Sequence, residues 1–242
     1  MQAPPRIPDD DRMRSFLFVG DSMTIGCPGD YTWRYRMWQH LEATMPGGYE
    51  IVGPRTTLYD PATAAPTSDA YADPSFPARR HLAGWGEGWL HMAPAIRAAV
   101  ADTGADTLLV SLGLIDLGFY TNAEQTAANL ALFLDEARAA NPHVSIAIHP
   151  VIPNVRAERD APFAAQCARF NELLAKTVAD RDRPGSPIVL ATTHPTYDIH
   201  TDTYDGTHPG PTGEHKLAAA FADAMHQAWG VGGAYSLNHE CA

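Results

Sequence analysis

Ser22, in the segment Gly20-Asp21-Ser22-Met23-Thr24-Ile25-Gly26, and the pair Asp205 and His208, in Asp205-Gly206-Thr207-His208-Pro209, carry the residue types of nucleophilic acyl chemistry. A serine hydroxyl is a weak nucleophile at its own pKa and needs a base beside it. Histidine takes a proton and returns it near neutral pH. A carboxylate on the far ring nitrogen fixes the tautomer and stabilises the imidazolium. Asp205 and His208 are close enough in sequence for one short loop to supply both. Ser22 follows the apolar run Phe16-Leu17-Phe18-Val19. It is therefore expected where a buried strand ends and turns toward solvent, with neighbouring backbone N–H groups free to face an oxyanion.

The elements that must position these residues can be read from the apolar runs. Residues 15–19, 49–52, 107–112, 144–151 and 188–191 read as strands, and 31–45, 87–101, 123–140, 162–180 and 211–228 as helices. In 123–140, Leu130, Phe133, Leu134 and Ala137 recur at helical spacing. Strands alternating with helices imply a mainly parallel sheet of about five strands, covered on both faces. Ligands of such sheets bind beyond the carboxyl ends of the strands, where Ser22, residues 113–116, 150–154 and the loop to His208 are all expected. Residues 54–83, rich in Pro, Ala, Thr and Asp, read as a long irregular insertion of the kind that carries function. Its Tyr59, Tyr71 and Phe76 are candidate substrate contacts. The tail 230–242 reads as loosely held.

A length of 242 residues fits one α/β domain. The net charge of −11, with no basic run, argues against nucleic-acid or anionic-membrane partners. Cys27, Cys167 and Cys241 are odd in number and scattered, so they form neither a disulfide framework nor a zinc motif. No secretory h-region and no membrane-length apolar run is visible, and a cytoplasmic protein is expected. Asp198, His200 and Asp202 share one polar loop but lack a pre-formed ligand spacing, so neither metal nor cofactor is expected.

Gly20-Asp21-Ser22 near one end and Asp205-x-x-His208 near the other make the chain similar to the SGNH/GDSL hydrolases. The resemblance covers essentially the whole chain and includes the order of strands and helices. It implies a flavodoxin-like three-layer α/β/α sandwich, Ser22 as nucleophile, His208 as base and Asp205 as orienter. It also implies an oxyanion hole built from the Ser22 N–H, a glycine N–H and an asparagine side chain. In His81-Leu82-Ala83-Gly84-Trp85-Gly86, Gly86 is the first candidate for that glycine, because it precedes a helix start, and Gly84 the second.

The expected Gly-x-Asn-Asp block reads Gly113-Leu114-Ile115-Asp116, so Ile115 stands where the family places its asparagine. Losing one such donor typically costs about 100- to 1,000-fold in rate. Asn154 and Asn122 are candidate replacements, and Asp21, Tyr31, Ile115 and Asn154 are candidate pocket residues. The resemblance implies an esterase acting on a small-molecule ester such as an acylated sugar, a short-chain ester or a natural-product intermediate. An acyltransferase using the same triad, and an inactive ligand-binding homologue, are the alternatives that Ile115 keeps open.

Overall fold

The computed structural model describes residues 13–237. The first strand, β1 (Arg14–Gly20), runs directly into a single helical turn, α1 (Ser22–Ile25). After it come α2 (Thr32–Thr44), β2 (Tyr49–Val52), β3 (Leu58–Asp60), β4 (Ala65–Ser68) and β5 (Leu82–Ala83). The middle of the chain forms α3 (Trp89–Met92), α4 (Ile96–Thr103), β6 (Thr107–Ser111), a five-residue π-helix (Asp116–Tyr120) and α5 (Ala123–Ala140). The last third forms β7 (Ser145–His149), α6 (Val155–Arg159), α7 (Ala161–Arg181), β8 (Ile188–Leu190), α8 (Ile199–Asp202) and α9 (Pro211–Trp229).

The main sheet has the order β2-β1-β6-β7-β8, and every pairing in it is parallel. That is the flavodoxin-like order, which reverses direction between β1 and β6. Both faces are covered because the strand side chains alternate between two apolar layers. Leu17 and Val19 of β1 face the layer built with Leu130, Phe133, Phe170 and Leu174 of α5 and α7. Phe16 and Phe18 face the layer built with Trp33 and Met37 of α2 and Phe221 of α9. Glu214 of α9 pins α2 to it, accepting from the Thr32 N–H (2.8 Å) and the Arg36 Nε (3.2 Å).

Three segments differ from their sequence reading. The helix expected over 87–101 is two helices, α3 and α4, with Pro94 between them, since proline removes a donor and crowds the preceding turn. The insertion 54–83 is not irregular. It holds the antiparallel pair β3–β4, and its Leu58, Tyr71 and Phe76 form a small core with Tyr35 of α2. It ends in β5, which pairs in parallel with Val19 and Gly20 at the tip of β1. Apolar side chains spaced without period can still converge once a hairpin folds them back. The described part of the tail is also docked rather than loose. Val231 is buried, and Tyr235 stacks on His40 and donates its N–H to Asp223. Residues 238–242, including Cys241, lie outside the described residues. No described helix is long and apolar enough to cross a membrane.

Candidate active site

The N-terminus of α1 places Ser22 two residues beyond β1, at the point where the sheet order reverses. Gly20 is required there: a Cβ would lie 1.9 Å from Thr24 Oγ1, on the turn directly following the strand. The loop before α9 brings in the other two residues. His208 Nε2 lies 3.0 Å from Ser22 Oγ, and His208 Nδ1 lies 2.6 Å from Asp205 Oδ2. The second oxygen, Asp205 Oδ1, accepts from the backbone N–H groups of Thr207 (2.9 Å) and His208 (2.7 Å). Gly206 bends the loop with φ +84° and packs so closely on Val155 that a Cβ would clash. Burial opposes ionisation of Asp205. The hydrogen bonds from the His208 backbone and ring outweigh it, so the carboxyl sits below its ordinary pKa and is ionised at neutral pH.

Aromatic rings hold the imidazole in plane. Trp85 stacks on His208 with ring centres 5.0 Å apart, Tyr204 stacks on it at 5.6 Å, and Tyr59 backs Trp85 at 4.5 Å. Of the three aromatics expected to contact substrate from the insertion, Tyr59 therefore acts through Trp85. Tyr71 and Phe76 are buried in the insertion's own core.

The β5–β1 pairing separates the two candidate glycines. Gly84 donates its N–H to the Gly20 carbonyl (3.1 Å) as a continuation of that pairing, so it has no donor left for substrate. Gly86 lines the cavity beside Ser22, has φ +74° and makes no backbone hydrogen bond among the described residues. Asp116 anchors this segment. Its carboxylate accepts from the N–H groups of Trp89 (2.8 Å) and Leu90 (3.0 Å), capping α3 just beyond Gly86 and tying the end of β6 to it. Sequence reading gave Asp116 no role, although its place in the 113–116 block was a usable signal.

Two of the four pocket candidates do not reach the site. Asp21 is fully buried and faces inward: its Oδ1 caps α1 by accepting from the Met23 N–H (3.0 Å), while Oδ2 has no hydrogen-bond partner. Although adjacent to Ser22 in sequence, it lies on the opposite side of the turn. Tyr31 lies against Tyr35 at 5.0 Å and beneath the Arg36 guanidinium at 4.4 Å, and it does not line the cavity. Ile115 and Asn154 do line it. The Asn154 side chain is held in place, with Oδ1 capping α6 through the Ala157 N–H and one Nδ2 hydrogen going to the Ile152 carbonyl. Asn122 caps α5 in the same way and stays outside the cavity. Asn122 is therefore not placed as the side-chain donor that Ile115 lacks, and Asn154 brings a single remaining amide N–H to the cavity wall. Among the described residues no cluster of three or more His, Cys, Asp or Glu side chains has the arrangement of a metal site. Asp198 caps α8, and Asp202 pairs with Lys216 (2.7 Å).

Fully buried beside the site, Asp21 gives a testable electrostatic signature. Burial, with Asp116 adding to it, raises its pKa from 3.8 to about 7. In the unfolded chain the same carboxyl is ionised above about pH 3.9. Its contribution to stability is therefore fully present below that pH and is lost as pH rises toward 7. Asp21→Asn keeps an oxygen to cap α1 but removes the titration. Urea unfolding of both proteins is expected to show their stability difference moving in favour of Asp21→Asn between about pH 4 and 7. At 1.36 kcal/mol per unit the full change is up to about 4 kcal/mol. A pH-independent difference would contradict the buried titration.

A family model described as GDSL-like lipase/acylhydrolase matches residues 18–216, which span Ser22, Asp205 and His208. No curated protein matches the chain in sequence. Solved structures share the fold. A carbohydrate esterase family 3 protein from Talaromyces cellulolyticus is 23% identical, with a TM-score of 0.70 over 86% of this chain and 94% of its own. An acetyl esterase mutant with an acetate ion is 23% identical, with a TM-score of 0.69 over 85% and 93%. The Clostridium thermocellum family 3 carbohydrate esterase is 19% identical, with a TM-score of 0.68 over 88% and 96%. With the family match extending over most of its length, the chain belongs to the GDSL-like lipase/acylhydrolase family, a family of carboxylic ester hydrolases.

Proposed function

We propose that this ester hydrolase works through a covalent acyl-Ser22 intermediate, with His208 as general base and acid and Asp205 as its orienter. The observation that carries the reading is the unbroken chain Ser22 Oγ–His208 Nε2–His208 Nδ1–Asp205 Oδ2, at 3.0 and 2.6 Å. With Nδ1–H donating to Asp205, Nε2 is the free acceptor and takes the Ser22 proton as Oγ attacks the ester carbonyl. The tetrahedral oxyanion is met by the N–H groups of Ser22 and Gly86. Ile115 adds no donor, so two backbone dipoles carry this step. Collapse breaks the C–O bond to the alcohol, which leaves with the proton from Nε2. Water, deprotonated by the same nitrogen, then attacks the acyl carbon and returns Ser22 to its starting state.

Stopped-flow mixing with excess p-nitrophenyl acetate tests the covalent step. An initial burst of p-nitrophenol close to one equivalent, followed by slower turnover, is expected where deacylation limits the rate. Electrospray mass measurement on the quenched reaction should show an added acetyl group on Ser22. Steady turnover with no acetyl adduct, together with undiminished hydrolysis by Ser22→Ala, would contradict the proposal.

A further inference from the structure

The cavity at Ser22 has a volume of about 430 Å³, within the range of pockets that enclose a small organic ligand. Leu114, Ile115, Phe119, Tyr120 and Phe163 wall it. The π-helix produces this wall. Its wide turn, closed by the Thr121 N–H on the Asp116 carbonyl (2.8 Å), carries Phe119 and Tyr120 outward at the cavity mouth. Phe119 is 74% exposed, and such a side chain gains by being covered. At the inner end Phe163 is only 5% exposed.

Two polar side chains reach this side, Asn154 and Arg156, and each is held in part by the protein. Besides the capping amide of Asn154, Arg156 donates from Nη1 to the Gly118 carbonyl (2.9 Å), and its guanidinium lies over the Phe163 ring at 4.1 Å. Ile115 is thus one part of a largely apolar wall rather than an isolated gap in an oxyanion hole. On the reading of Ser22 as the nucleophile, we infer that this wall is an acyl-binding surface and that the substrates are esters of apolar acids larger than acetate, with roughly hexanoyl bulk. The acyl side is assigned because the departing alcohol must lie against His208 Nε2, which protonates it. The remaining substituent of the carbonyl is then directed away from His208.

The test is kcat/KM for p-nitrophenyl acetate, butyrate and hexanoate, with methyl and hexyl acetate as a matched alcohol series. Each methylene laid on the wall is expected to raise kcat/KM about fourfold, so hexanoate should exceed acetate by on the order of a hundredfold. Lengthening the alcohol should do much less. Ile115→Asn and the surface change Phe119→Ser should each lower the hexanoate-to-acetate ratio about fivefold or more. A flat or falling acyl series, a preference that follows the alcohol, or an unchanged ratio in both variants would overturn the assignment. The triad reading survives those results as long as acetate hydrolysis still requires Ser22. If no ester in either series shows Ser22-dependent hydrolysis, both readings fall together.

Discussion

Ser22→Ala is expected to lower kcat by about 10⁴- to 10⁶-fold on any ester the wild-type protein turns over, with little change in KM. The loss is this large because, in the proposed mechanism, the base, its orienter and the nucleophile act as one unit. Without Oγ, the proton acceptor at His208 Nε2 has nothing 3.0 Å away to activate. Residual rate would come from the two backbone donors and from binding alone. The fold should be unaffected, since no hydrogen bond from Oγ other than that to His208 enters the packing of α1. Steady-state rates on purified protein, with matching circular dichroism, check the prediction. A rate within tenfold of wild type would place the nucleophile elsewhere.

Asp205→Asn is expected to cost about 10³- to 10⁴-fold in kcat. Asparagine can still accept the N–H groups of Thr207 and His208 through Oδ1, so the loop should hold its shape. What changes is the group facing His208 Nδ1. An amide N–H there favours the tautomer with the proton on Nε2, the nitrogen that must accept from Ser22. Asp205 is 43% exposed, and water can partly support the productive tautomer, which sets the lower end of the range. Kinetics of Asp205→Asn beside wild type decide the matter. A loss below tenfold would show that Asp205 does not set the tautomer.

The strands were legible in the sequence because buried parallel strands are written as short apolar runs, and the meeting of Ser22, Asp205 and His208 because each sits in a compact local motif. The choice between Gly86 and Gly84 was made on a helix start. What separates them physically is β5 pairing with the tip of β1, which consumes the Gly84 N–H. That pairing joins residues about sixty positions apart, and no local pattern encodes it. Nearness in sequence suggests Asp21 and Tyr31 for the pocket, yet the turn after β1 sends Asp21 inward, and the start of α2 sets Tyr31 against Arg36. The π-helix left no compositional trace, since widening a turn by one residue alters hydrogen bonding and not side-chain type. The places of Trp85 and Tyr204 on His208, and of Phe119 and Phe163 in the cavity wall, appear only with the fold.

The most direct test of the central claim is covalent labelling with a fluorophosphonate probe, followed by peptide mass spectrometry of the full chain. Only a serine activated by its base reacts readily with such a probe. The site geometry predicts one probe per chain, located on Ser22, and no labelling of His208→Ala under the same conditions. A wild-type protein that stays unlabelled, or one labelled at another serine, would contradict Ser22 as the nucleophile.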